Sequence, residues 1–142
     1  MVVRLIISLA CVVFSYLWPA PLSAEPPSHA MMLLERVIDG DTFVASGLQI
    51  RLWGIDAPER GEPLYEYSRL ILEQILQSGA LSCAPVDRDR TARVVMHCRS
   101  DEADIGALMV RAGFARDHVR YSKGFYAEEQ DAAQSAGAGL WN

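Results

Sequence analysis

The sequence predicts an α+β, mainly β domain in which five short strands form a small closed or nearly closed barrel with three helices. Three observations carry that expectation. Short runs of alternating apolar residues, bounded by Gly, Pro and Asp, fill residues 32–55 and 81–98. From Pro63, and again after Asp104, the apolar period changes to three and four. The 142 residues, 51% hydrophobic, suffice for one core and are too few for two ordinary domains.

Residues 32–38 read as the first strand, ending in the turn Asp39-Gly40-Asp41. Residues 42–45 are the second, Ser46-Gly47 is a tight turn, and residues 48–55 are the third. Leu48, Ile50 and Leu52 alternate with polar residues and Trp53, so they are expected on the core face. Asp56-Ala57-Pro58-Glu59 must leave the sheet, because proline cannot donate to a ladder. Leu64, Tyr67, Ile71 and Ile75, with Leu70 and Leu76, mark an amphipathic helix that Gly79 stops. Residues 81–86 and 91–98 read as two strands joined by a charged turn. Asp104 then caps a helix carrying Ile105, Leu108, Met109 and Ala112, and a last helix covers residues 125–136.

Residues 1–24 are expected to be a signal peptide outside this fold. Arg4 supplies the positive start, residues 5–17 an apolar run, and Leu22-Ser23-Ala24 a small-residue cleavage signal. The run is shorter than the roughly 20 residues a membrane span needs. Cys11, after Ser8-Leu9-Ala10, offers a minor alternative as a lipid-attachment site. Residues 25–30 then form a short tether and residues 31–142 the domain. The expected product is secreted or periplasmic, monomeric, and without stable membrane association. Cleavage leaves only Cys83 and Cys98, an even pair that reads as a disulfide in an exported chain. A hairpin centred between Arg90 and Thr91 places these two opposite each other, with Cβ atoms about 4.5–5.5 Å apart.

The mature domain carries twelve basic against eighteen acidic residues, a net charge of −6. It therefore lacks the basic footprint of a protein that grips nucleic acid by backbone charge alone. A phosphate must be held locally, by a few arginines and a metal. Asp41, Asp56 and Glu59 lie near the ends of consecutive strands and can converge at one rim, where a hard cation relieves their repulsion. His29, His97 and His118 stand at no metal-ligand spacing in the sequence.

Residues 36–43 (Arg-Val-Ile-Asp-Gly-Asp-Thr-Phe) and 51–59 (Arg-Leu-Trp-Gly-Ile-Asp-Ala-Pro-Glu) resemble the paired signature of the staphylococcal nuclease-like, or thermonuclease, family. Residues 104–115, Tyr121 and Gly139-Leu140-Trp141 resemble its later segments. The resemblance implies a five-stranded OB-fold barrel and a calcium-dependent nuclease hydrolysing DNA or RNA. By motif, Asp41 and Asp56 would hold Ca2+ with the backbone carbonyl of Ala57. Glu59 would orient or deprotonate water, Arg51 would hold the phosphate, and Tyr121 would line the substrate wall. The family's second catalytic arginine follows a tyrosine and a glycine, and here the turn reads Asp87-Arg88-Asp89-Arg90-Thr91 without either. Arg90 is its expected successor, with Arg88 and Arg93 as competitors, and Val119 replaces a second wall tyrosine. The altered turn and the acidic charge keep a rival expectation open, a non-catalytic OB-fold module binding nucleic acid or protein.

The exported protein is expected to begin at Glu25, which mass spectrometry of the secreted or periplasmic fraction reads directly. An intact Met1 terminus there would contradict the signal-peptide assignment.

Overall fold

The computed structural model describes residues 28–88 and 93–142. The expected signal peptide, the first half of the expected tether, and Arg90 lie outside the described residues. The described chain forms nine short strands: β1 (Ala30–Met31), β2 (Leu34–Val37), β3 (Thr42–Ala45), β4 (Leu48–Leu52), β5 (Ile55–Asp56), β6 (Leu81–Arg88), β7 (Val94–Ser100), β8 (Ala103–Asp104) and β9 (Arg116–Asp117). Four helices accompany them: α1 (Tyr65–Gln77), α2 (Ile105–Arg111), α3 (Val119–Ser122) and α4 (Ala127–Ser135), with a 3-10 turn at Gly139–Trp141.

The main sheet runs β1-β6-β7-β4-β3-β2. Its two edge strands belong to one stretch of chain, so residues 30–37 pair with β6 at one end and with β3 at the other. Met32 N–H, donating to the Leu81 carbonyl at 2.9 Å, continues the first pairing. The single first strand expected from the sequence is thus divided, because one segment must satisfy two neighbours to curl the sheet round. Neighbouring strands are antiparallel except β4 and β7, which pair in parallel with Ile50 level with Val94. This is the OB-fold barrel, mainly β.

The Ser46-Gly47 turn forms as expected, both residues taking positive φ (48° and 75°) to close the β3–β4 hairpin. Phe43, Ala45, Ile50 and Leu52 point into the core, whereas Leu48 at the hairpin end is exposed. In α1 the buried positions are Tyr65, Ser68, Leu72 and Leu76, so the helix is rotated from the expected stripe and leaves Tyr67 and Leu70 outside. The reason is local. Ser68 is small enough to let the 39–41 turn approach, and its Oγ donates to the Phe114 carbonyl at 2.7 Å. Asp104 caps α2 as expected, accepting from Ala107 N–H at 3.1 Å. Instead of three helices there are four, because α3 forms a single turn too short to leave a period in the sequence.

Across β6 and β7 the pairs Leu81–Ser100 through Pro85–Met96 follow the expected register, and Cys83 lies opposite Cys98. Their sulfurs are joined, with Cα atoms 4.1 Å apart, and both residues are buried. A bulge at Val86 then shifts the register by one, to Asp87–Val95 and Arg88–Val94. Replacing both cysteines by alanine removes a cross-link that closes a separation of 15 residues, and is expected to cost about 3 kcal/mol. Urea denaturation with and without reductant measures this; an unchanged midpoint would show that the bridge constrains nothing.

Candidate active site

The site is built where three loops meet at one rim of the barrel. The turn between β2 and β3 is held by Ile38 N–H and Asp39 N–H, which both donate to the Thr42 carbonyl (2.9 and 3.2 Å). Asp39 Oδ1 accepts from Asp41 N–H at 3.1 Å, the short-range bond that lets Asp form tight turns. Gly40 does not take a left-handed backbone in this turn; it is required for space. A Cβ on it would lie 1.8 Å from Ser68 Oγ and 2.8 Å from the Ala57 Cβ, so only glycine lets this turn sit between α1 and the segment after β5.

That approach buries Asp41. Its Oδ2 accepts from Ala57 N–H at 2.9 Å, and its Oδ1 accepts from Thr42 Oγ at 2.9 Å. The same Oδ1 forms an ion pair with Arg51 Nη1. Arg51 reaches the rim from β4, opposite Thr42 in the β3–β4 ladder. Its Nη2 donates to the Ile55 carbonyl at 3.1 Å and to Asp56 Oδ1 at 3.3 Å. One guanidinium therefore ties together the carboxylates of a buried and a half-exposed aspartate. Asp39 is the third carboxylate in this field. Burial pushes its carboxyl above the usual value, opposed by hydrogen bonding from Thr42 and by the charges of Arg51 and Arg93.

Arg93 is the second cation at the rim. It stands just before β7, and its Nη1 lies 3.5 Å from Thr42 Oγ. The sequence ranked it behind Arg90, which lies outside the described residues, while Arg88 is exposed on β6. Sequence reasoning also assigned no role to Asp39, although the Asp-x-Asp spacing that places two carboxylates in one turn was available.

Of the other expected residues, Ala57 sits against Asp41 through its N–H. Glu59 is exposed; its N–H donates to Glu62 Oε2 at 2.8 Å, and its own carboxylate makes no hydrogen bond or ion pair among the described residues. Tyr121 is exposed, with its ring edge-on to His118 at 4.7 Å and the Arg120 guanidinium 5.7 Å from its centre. It belongs to α3, which β9 brings alongside β5: Arg116 pairs with Asp56, and His118 N–H donates to the Gly54 carbonyl at 2.8 Å.

Among the described residues no three His, Cys, Asp or Glu side chains gather as a metal cage. Asp41 and Asp56 nevertheless fit a hard cation. They are oxygen donors that already converge on one positive group, and calcium completes such a set with carbonyls and water.

An OB-fold barrel with paired aspartates and two arginines on one rim defines the class of protein. Residues 49–142 match the family described as staphylococcal nuclease homologue. The chain is 34% identical over 117 residues to the succinoglycan biosynthesis protein ExoI of Rhizobium meliloti (strain 1021), covering 74% of this chain and 61% of that protein. An uncharacterized endonuclease of Haemophilus influenzae is 29% identical over 112 residues, 75% of this chain and 63% of the relative. One from Escherichia coli is 28% identical over 137 residues, 92% and 86% of the two chains. This chain thus spans about three-fifths of the length of the first two relatives. It belongs to the staphylococcal nuclease homologue family.

Gly40→Ala is expected to push the turn away from Ser68 and Ala57 and to destabilise the fold by about 1–3 kcal/mol, the usual cost of overpacking. Thermal or urea unfolding reads the change. A parental midpoint would show that the turn has room.

Proposed function

We propose that the protein is a nuclease that hydrolyses phosphodiester bonds of DNA or RNA, uses calcium, and works outside the cytoplasm. The single observation that carries the reading is the rim itself: Arg51 between Asp41 and Asp56, with Arg93 at Thr42. Relatives named as endonucleases support it. The export-type start of the sequence and the Cys83–Cys98 bridge support an oxidising compartment. Among the described residues no helix is long and apolar enough to cross a membrane.

Asp41 and Asp56, with the carbonyl of Ala57, would hold the calcium ion, which when bound supplies a Lewis acid and a template for the phosphate. The chain's own groups do the rest. Arg51 offers a planar two-pronged donor matched to phosphate oxygens. Arg93 brings a second guanidinium to the same rim, where charge developing on the phosphorane oxygens needs a fixed counter-charge. Glu59, exposed and unpaired among the described residues, has the freedom to orient a water molecule and take its proton. The exposed ring of Tyr121 gives a base or sugar a surface to lie on. With a net charge of −6 on the mature domain, substrate is held through these few contacts.

A second reading has one observation in its favour. Arg51 is engaged by both carboxylates, and an ion-pair network of that kind also serves a non-catalytic OB-fold module that binds nucleic acid or protein.

The test is cleavage of single-stranded DNA and of RNA by the purified protein. Activity is expected with calcium and is expected to vanish with a chelator; cleavage that survives chelation, or none under any condition, would overturn the proposal. Glu59→Gln is expected to lower turnover by about 100-fold or more, as loss of a general base does. Arg90→Lys, at the successor the sequence favours, and Arg93→Lys, at the guanidinium held near Thr42, are compared side by side; the one that lowers turnover more than substrate affinity is the second catalytic arginine, and parental turnover in both would leave this turn without a catalytic role.

A further inference from the structure

On the outer face of the barrel the fold unites two histidines that are 68 residues apart in sequence. His97 projects from β7, directly opposite Ala84 of β6. Ala30 of β1 pairs with Cys83, so His29, one residue earlier, stands level with Ala84. Because Ala84 has only a methyl group, the two imidazoles meet across it. His29 Nε2 lies 3.3 Å from His97 Nδ1, with the rings nearly perpendicular at 73°.

The other nitrogen of His97 is committed. Its Nε2 lies 2.7 Å from Asp104 Oδ2, and that carboxylate also accepts from Tyr126 at 3.2 and 3.3 Å and from Ala107 N–H. A carboxylate on Nε2 fixes the proton there and turns the Nδ1 lone pair toward His29, the arrangement that orients metal-ligating histidines. Two imidazole nitrogens bound to one tetrahedral ion at 2.0–2.1 Å stand about 3.3 Å apart, the separation found here.

We propose that His29 and His97 form a two-histidine site for a divalent transition ion of the zinc or copper type, with Asp104 as its outer carboxylate and water in the remaining positions. The chemistry suits it. Imidazole prefers such ions to calcium, so this site and the rim sort different metals. Arg99 opposes a bound cation, and Glu102, 3.7 Å from Arg99, offsets that charge. A metal here would staple the chain just before β1 to β7, and so reinforce the segment through which the barrel closes. The inference is independent of nuclease activity.

Zinc ion alone is the probe, titrated calorimetrically into the purified protein, with unfolding followed in parallel. One zinc per chain and a raised melting temperature are expected for the parent. Asp56→Asn, at the exposed carboxylate of the rim, and His118→Gln should bind zinc as the parent does. His29→Gln and His97→Gln should each weaken binding at least about tenfold and lose the thermal shift. Asp104→Asn keeps a good helix cap but loses the charge behind His97, and is expected to weaken zinc by about 10–100-fold. His29→Gln touches only the start of the described chain, so it tests the site even if His97→Gln fails to fold. Parental zinc affinity in folded His29→Gln, or zinc binding lost only in Asp56→Asn, would overturn the site. So would absence of zinc binding by the parent.

Discussion

The rim depends on one interaction, the Arg51 guanidinium lodged between Asp41 and Asp56. Asp41 is buried because the Asp39-Gly40-Asp41 turn sits between α1 and Ala57, and a buried carboxylate must be paired. Arg51 provides the charge, Thr42 Oγ and Ala57 N–H donate beside it, and among the described residues one lone pair of Oδ2 is left over. Removing one partner of such a pair leaves an uncompensated charge, typically a loss of about 3–5 kcal/mol, whereas the intact pair adds little net stability. Its value is positional. The pair ties the β2–β3 turn, β4 and the segment after β5 at a single point.

From that point the rest of the geometry is constrained. Arg51 is level with Thr42 on one side and with Val95 on the other, so the parallel β4–β7 ladder brings Arg93 to the same rim. The disulfide ties β6 to β7 at the position where β1 also attaches, which supports the closure of the barrel by a very short strand. At the other end of the chain, Gly113 and Gly139 approach so closely that a Cβ on either would lie about 2.2–2.3 Å from backbone oxygen. Leu140 N–H donates to the Gly113 carbonyl at 2.9 Å there, locking the final turn against the end of α2.

Much of this was legible in the sequence because it is local. The Ser46-Gly47 turn, the Asp104 cap and the Cys83–Cys98 register follow from spacing over a few residues or one hairpin. What sequence misplaced was set by contacts between distant segments. Ser68 rather than Tyr67 faces inward because a turn nearly thirty residues earlier needs the space. The Val86 bulge moves the hairpin register by one beyond Pro85, a break that no spacing within the strand announces. Hairpin parity also says nothing about the parallel neighbour β4, which is what aims Arg93 at Thr42. The His29–His97 pair was invisible for the same reason: its spacing is across strands, not along the chain.

The proposed calcium ion would meet Arg51 at the same two carboxylates, Asp41 and Asp56. The most direct measurement is the side-chain Nε–H resonance of Arg51 followed by NMR through a calcium titration. The account predicts a saturable shift of that resonance, absent in Asp41→Asn, as the carboxylates exchange one cation for another. An Arg51 signal that stays fixed while calcium activates cleavage would contradict it.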